Sequence, residues 1–408
     1  RIVAVGVVGD LVLEEFLPEV ADAISDITAR PMVLEALALL GKPAVPTMAG
    51  LLTRRDLSLP TRRSIVTALA SIEGSAARDS LIALAEEPAL GPAAMNSLLR
   101  MRVAGRIDPI DPATLQGTME EEMAKGLRFS LAASGLRSMA GDNPEAIFVA
   151  RELESLRARS LHRVLRVLSL SYDTRRLSPV ATALLSKDIA RVSNALELLE
   201  GSISQDTAAL VMPFMEAAAE NFPEWRTIEL VPDAITILQN PGETLTNEKD
   251  WWPRSLGLHV LGRDDEISTP GRHKNKADDA QEDEAMIPLI EKVMILKGSE
   301  LFRNFPGPDL AGIASLAQVV YLEPDEVLFN QGEEGDAFYM VVQGGVRITR
   351  GSTELAILGT REGFGEMAIL DQETRSATAT AAEATTLLRI GQDSFDQLIE
   401  QNPTVARG

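Results

Sequence analysis

Gly365-Glu366-Met367-Ala368-Ile369-Leu370, followed by Asp371-Gln372-Glu373-Thr374 and then Arg375-Ser376-Ala377, is the stretch whose residue types and spacing can do chemistry. Glycine has no Cβ, so the backbone at Gly365 can come close to a bound molecule. Glu366 can accept hydrogen bonds from a sugar hydroxyl. The short apolar turn through Met367 and Ala368 presents free backbone N–H groups, and such a helix start attracts anions. Arg375, nine residues after Glu366, carries a planar fork that grips a phosphate through two bonds. Ser376 adds a hydroxyl, and Ala377 leaves room for the backbone to approach. A sugar acceptor followed by an anion grip reads as a pocket for a small cyclic phosphate.

Taken singly, these residues say little: a lone arginine is most often a solvated surface group, and a lone glutamate is surface charge. A second stretch supplies the context. Val327 to Val346 holds Gln331-Gly332 as a tight turn, Gly335-Asp336, the aromatics Phe338 and Tyr339, and then Gly344-Gly345-Val346. At these two stretches, in this order, the chain resembles the cyclic-nucleotide-binding domain family, that of bacterial catabolite activators and protein kinase A regulatory subunits. The family's phosphate-binding cassette reads roughly F-G-E-[LM]-A-[LI]-L, a few loop residues, then R-[ASTC]-A. Phe364 to Leu370 and Arg375 to Ala377 follow it position by position.

The resemblance implies a ligand rather than a cofactor: cAMP, with cGMP as the alternative. Its phosphate would lie on Arg375 and the N–H groups of Met367 and Ala368, and its ribose on Glu366. Gly365, Ser376 and Ala377 would complete the wall. A serine after the arginine, where cGMP readers carry threonine, leans toward cAMP. Two departures stand out. Arg361 occupies a position where the family usually has glycine, three before the Phe. The chain also ends at Gly408, where many members continue into a helix that caps the base.

These residues need a scaffold, and the pattern around them predicts one. Val319–Tyr321, Val327–Phe329, Ala337–Val342, Val346–Arg350, Glu354–Leu358, Ala379–Ala381 and Thr386–Ile390 read as short strands of a jelly roll. Helices are expected at Met286–Leu296, at Pro308–Ala317 with its proline in the first turn, and at Gln392–Gln401.

The region before about residue 262 is different in kind. It is rich in Ala and Leu at helical spacing, poor in aromatics, and broken at short intervals by Gly and Pro. Similar segment ends recur: Leu40 and Ile72 are 32 residues apart, and Leu168 and Leu199 are 31 apart. Helix pairs with such a period suggest a HEAT-like α-solenoid, in which each pair buries its apolar face on its neighbours. Between about 90 and 160 the register is poor. Trp251-Trp252 opens the last repeat helix, with Trp filling space between repeats. Arg263 to Glu284 is charged and carries Pro270-Gly271, as a linker would. The expected organisation is therefore multidomain: a HEAT-like α-helical repeat domain over 1–262, a charged flexible linker over 263–285, and a β-roll (jelly-roll) cyclic-nucleotide-binding domain with flanking helices over 286–408.

Composition bounds the function. The chain has 408 residues with 39 Lys+Arg against 60 Asp+Glu, a formal net charge of −21. That argues against nucleic-acid binding, which depends on neutralising phosphates with basic groups. It has no cysteine, hence no disulfide, no thiolate chemistry and no thiolate metal site. No nucleophile–base pattern, Gly-rich triphosphate loop or metal-ligand spacing stands out, so no catalytic residue and no metal site is expected, and the chain reads as a non-enzyme. Repeats, a charged linker and this kind of β-roll in series also resemble the soluble C-terminal portion of bacterial transporters related to the ATP/ADP carrier group of the major facilitator superfamily. That resemblance implies a membrane transporter domain upstream of Arg1 and a place on the cytoplasmic face of the inner membrane. Two other readings stay open: a HEAT scaffold that recruits a protein partner beside a relic β-roll, and the regulatory part of a longer enzyme such as a nucleotide cyclase.

Overall fold

The computed structural model describes residues 14–268, 287–367 and 374–392, apart from single positions 27, 55, 86, 88, 185 and 187. The chain divides into two compact units: residues 1–141 with 150–241, and residues 142–149 with 242–408.

The first unit is helical, and its boundaries are set by local chemistry. Ser58, Asp188 and Ser204 each turn a side-chain oxygen onto N–H groups in the first turn of the helix that follows, namely Leu59–Leu69, Ile189–Glu200 and Gln205–Ala219. Gly41 ends Arg30–Leu40 at a positive φ of 69°. Where the expected repeat register fades, the chain builds long helices instead of short pairs. Pro112–Ala140 runs 29 residues from an Asp111 cap to Gly141, and Pro144–Ser171 runs 28. Small residues let Pro112–Ala140 pack closely on its neighbours. A Cβ at Gly126 would meet the Phe214 ring at 3.0 Å, and one at Gly135 would meet the Leu238 carbonyl at 2.3 Å. No single helix among the described residues is long and apolar enough to cross a membrane.

The helix Trp251–Val260, read from sequence as the last repeat, groups with the second unit. Asp250 caps it, Trp252 is fully buried, and its neighbour Trp251 stands edge-on 5.6 Å away. Of the expected linker, Asp264–Glu266 forms a short turn beside the Arg263–Glu266 ion pair, while residues 269–286 lie outside the described residues. The helices Leu289–Lys297 and Gly307–Ala314 follow, close to their expected places.

Among the described residues the second unit then forms two four-stranded antiparallel sheets, a β-sandwich. The strands are β1 (Gln318–Leu322), β2 (Val327–Phe329), β3 (Ala337–Gln343), β4 (Val346–Arg350), β5 (Thr353–Leu358), β6 (Gly363–Phe364), β7 (Thr378–Ala381) and β8 (Thr385–Gly391). One sheet runs β1-β8-β3-β6 and the other β2-β7-β4-β5. The core between them holds Leu322, Ala337, Tyr339, Val341, Val346, Phe364, Ala379, Ala381 and Leu387. Strand β3 is buried at five successive residues, Ala337 to Val341, so both its faces are covered. On the outer face Phe338 meets Phe302 edge-on at 5.5 Å. Such a strand reads as a continuous apolar run rather than an alternation.

The departure at Arg361 resolves into a conformational finding. Arg361 takes φ +70°, a left-handed conformation that glycine adopts without strain and a residue bearing Cβ does not. The turn is held from both sides: the Arg361 N–H donates to the Val341 carbonyl at 2.8 Å, and the Val341 N–H donates to the Glu362 carbonyl at 3.0 Å. The turn therefore keeps a glycine-type shape with arginine in it. Arg361→Gly is expected to stabilise the protein by roughly 0.5–1 kcal/mol through relief of that strain. A urea or thermal midpoint checks it; a lower midpoint would show that the arginine stem, which lies against Gly298, contributes more than the strain costs.

Candidate functional site

The strands place the two ends of the expected cassette against the same loop. Phe364 ends β6 and pairs with Tyr339 of β3, which sets Gly365 beside the start of β3. Arg375 precedes β7, and its backbone is tied to the loop between β2 and β3. Its N–H donates to the Glu333 carbonyl at 2.8 Å, and its carbonyl accepts from the Gly332 N–H at 2.8 Å. The Gln331-Gly332 turn is thus a clamp on the arginine, a role that its turn chemistry alone does not disclose. The Thr378 hydroxyl accepts from the Gln331 N–H at 2.9 Å and ties the same loop to β7.

The Arg375 side chain is 5 % exposed. Nη2 donates to the Ala337 carbonyl at 2.9 Å and Nη1 to the Gly365 carbonyl at 3.3 Å. Its Cζ lies 4.1 Å from the centre of the Phe329 ring and 5.6 Å from that of Tyr339. Phe329, Tyr339 and Phe364 form one aromatic group, with Tyr339 and Phe364 stacked at 5.5 Å. Among the described residues no carboxylate pairs with Arg375, and its buried Nε has no hydrogen-bond partner. Burial pushes the guanidinium's pKa down from its ordinary value, while the fields of Tyr339, Asp336 and Glu333 push the other way. Two further charges are settled locally. Asp336 pairs with Arg389 at 2.7 Å. Asn330 donates both its side-chain amide and its backbone N–H to Glu333, which holds that carboxyl below the usual carboxylate range.

The other expected residues fall as follows. Gly365 has φ +86°, and a Cβ there would lie 2.6 Å from Arg375 Nη1 and 3.1 Å from the Ala337 carbonyl. Its close approach is therefore to the arginine itself. Glu366 is half-buried and Met367 exposed, in a helical turn that begins at Glu366. Ala368 lies outside the described residues, as does most of the helix expected over 392–401. Ser376 is exposed, and its carbonyl accepts from Arg350 Nε at 3.3 Å. Ala377 is buried. Phe329 belongs to this arrangement and was not singled out from sequence. Its only signal is a place at the end of the expected strand Val327–Phe329.

The arrangement can do one thing chemically: present a buried, oriented cation with donors to spare to an anion near Gly365 and Glu366. A guanidinium held by neutral acceptors keeps its full charge for such a guest.

Comparison with known proteins agrees in place and kind. Residues 319–402 match the cyclic nucleotide-binding domain family. The chain is similar to the cyclic AMP receptor protein of Thermus thermophilus, 39% identical over 116 residues, which is 27% of this chain and 54% of that protein. It is similar to a cAMP-dependent protein kinase regulatory subunit of Yarrowia lipolytica, 35% identical over 88 residues, 21% of this chain and 23% of that protein. It is similar also to a cGMP-dependent protein kinase of Eimeria tenella, 34% identical over 87 residues, 21% of this chain and 9% of that protein. The chain spans about half the length of the first of these relatives and much less of the other two. The C-terminal part of the chain, over residues 319–402, is a cyclic nucleotide-binding domain, and a helical region precedes it.

Proposed function

We propose that the chain is a sensor in which the β-sandwich binds a cyclic nucleotide, cAMP in preference to cGMP, and the helical unit relays its occupancy. The observation that carries this reading is Arg375: buried, charged, paired with no carboxylate among the described residues, and fixed by two backbone carbonyls beside the cassette. A buried cation is costly unless something compensates it, and here a phosphate would. Its partner in the reading is Glu366, which takes the ribose hydroxyl, with the Met367 and Ala368 N–H groups completing the phosphate site. Ser376, exposed next to the arginine, supports the cAMP preference through the resemblance noted above.

The helical unit acts as a HEAT-type array, and the chain as the cytoplasmic regulatory part of a membrane transporter, working by binding rather than catalysis. Support for that comes from the order of the segments: Ala- and Leu-rich helices, a charged stretch, then the nucleotide domain. Binding must favour one arrangement of the flanking helices over another, because a ligand shifts an equilibrium only by its differential affinity.

Calorimetric titration of the purified chain with cAMP and with cGMP tests the reading. Micromolar or tighter binding of cAMP, about −8 kcal/mol or better, with cGMP weaker, is the expected result. No heat with either nucleotide, from well-folded protein, would favour an interaction scaffold. Glu366→Gln keeps an acceptor and loses the charge, so affinity is expected to fall by about 1 kcal/mol, roughly fivefold. The same titration checks it. Were this substitution to cost more than loss of Arg375, the ribose role of Glu366 would be wrong.

A further inference from the structure

Phe329 stands under the guanidinium that the proposed function depends on, and nothing in the cassette pattern includes it. Strand β2 reaches it through a bulge: Val327 pairs with Thr380 and Phe329 with Ala379, so two steps on β2 face one on β7. A bulge re-aims the side chains that follow it. Here it lets the successive residues Leu328 and Phe329 both pack on the core between the sheets, where strict alternation would send one of them outward.

The ring then meets a cation with an unusual set of partners. Two of the five N–H groups of Arg375 are spent on the carbonyls of Ala337 and Gly365. The remaining donors include Nε, which is buried and unbonded. A desolvated guanidinium in this position needs a counter-interaction. A carboxylate would supply one, but a phosphate would then have to displace it. The face of an aromatic ring compensates the charge without occupying the N–H edge. At 4.1 Å from the Phe329 centroid, the guanidinium lies within the range where that attraction acts.

We infer that Phe329 is the positioning residue of the anion site: its ring holds the Arg375 guanidinium charged and oriented, with its free N–H edge unneutralised for the ligand phosphate. Phe329 touches no ligand in this account and acts through Arg375 alone. The inference rests on the cyclic-nucleotide reading of the same site.

The test must separate the ring's electrostatics from its bulk, because Phe329 also packs on the core. Phe329→pentafluorophenylalanine, introduced in the full chain, keeps the shape but reverses the sign of the ring face. With cAMP as the probe in calorimetry, the dissociation constant is expected to rise about five- to thirty-fold, with stepwise fluorination giving intermediate values. Phe329→Tyr keeps an electron-rich ring and is expected to bind within about twofold of wild type. Thermal midpoints measured on the same proteins confirm that each variant is folded. Wild-type affinity in the pentafluoro variant, with wild type binding cAMP, overturns the role of Phe329 and leaves the cyclic-nucleotide reading intact. Absence of binding by wild-type protein overturns both.

Discussion

Arg375→Ala raises the dissociation constant for cAMP by about ten- to a hundred-fold or more, because charge-assisted hydrogen bonds contribute about 1.5–3 kcal/mol. The loss extends beyond the direct phosphate contact. The same side chain bonds the carbonyls of Ala337 and Gly365, so removing it frees two acceptors at the place where the cassette meets β3. Those acceptors lose a donor, and the fold is expected to lose about 1–3 kcal/mol as well. Calorimetry and a denaturant titration on the same variant read the two effects separately. Arg375→Lys sharpens the result. A lysine keeps the charge but has a compact ammonium in place of the planar fork, so it cannot span both carbonyls while facing a phosphate. It is expected to bind more weakly than wild type and more tightly than Arg375→Ala. Unchanged cAMP affinity in Arg375→Ala would sink the pocket assignment.

The strands were legible because each was spelled by neighbours in sequence. The seven strands expected from short apolar runs all occur, with no end moved by more than a residue. Among the described residues the one strand that was not foreseen, β6, is two residues long, Gly363–Phe364, and exists through its pairing with Tyr339 and Met340. A two-residue strand has no periodicity to see. Phe329 escaped for a related reason, since a bulge decides which way its ring points. In the helical region, caps such as Ser58, Asp188 and Ser204 mark helix starts that local chemistry can announce. The long helices Pro112–Ala140 and Pro144–Ser171 were not legible. Pro112–Ala140 is buried at five successive residues, Phe129 to Ala133, so it is covered on every side there and no single apolar stripe marks it. The partnership of Gly332 and Glu333 with Arg375 lies in backbone atoms, which residue identity does not report.

Those backbone bonds bear on how occupancy could be sensed. Arg375 is fastened twice to the β2–β3 loop, at Gly332 and Glu333, and twice more to backbone at Ala337 and Gly365. A ligand that pulls on the guanidinium therefore pulls on Gly365, and the chain leaving Gly365 is Glu366-Met367, the start of the cassette turn. In the proposed site, the phosphate and ribose contacts would in this way be mechanically one unit. Interaction energies of residues in one such network do not add, so Glu366→Gln in the Arg375→Ala background is expected to cost little more than Arg375→Ala alone.

Gly365→Ala tests the same junction from the other side, and its effect is expected to be comparably large. The backbone there sits at φ +86°, where a Cβ is strained by about 1 kcal/mol or more. The methyl group would also stand 2.6 Å from Arg375 Nη1 and 3.1 Å from the Ala337 carbonyl. The carbonyl belongs to a buried strand and cannot retreat, so the guanidinium must. It is held by Phe329 beneath it and by backbone on the loop side, which leaves it no second seat that keeps both carbonyl bonds. The expected result is a fold weakened by about 1–3 kcal/mol and a cAMP affinity reduced at least tenfold, with the arginine present but displaced. Gly332→Ala is the control. Its φ is +88°, similarly strained, but nothing stands within 4 Å of a Cβ there. If strain alone mattered, the two substitutions would weaken binding equally; a larger loss at Gly365 assigns the difference to the seat of the guanidinium.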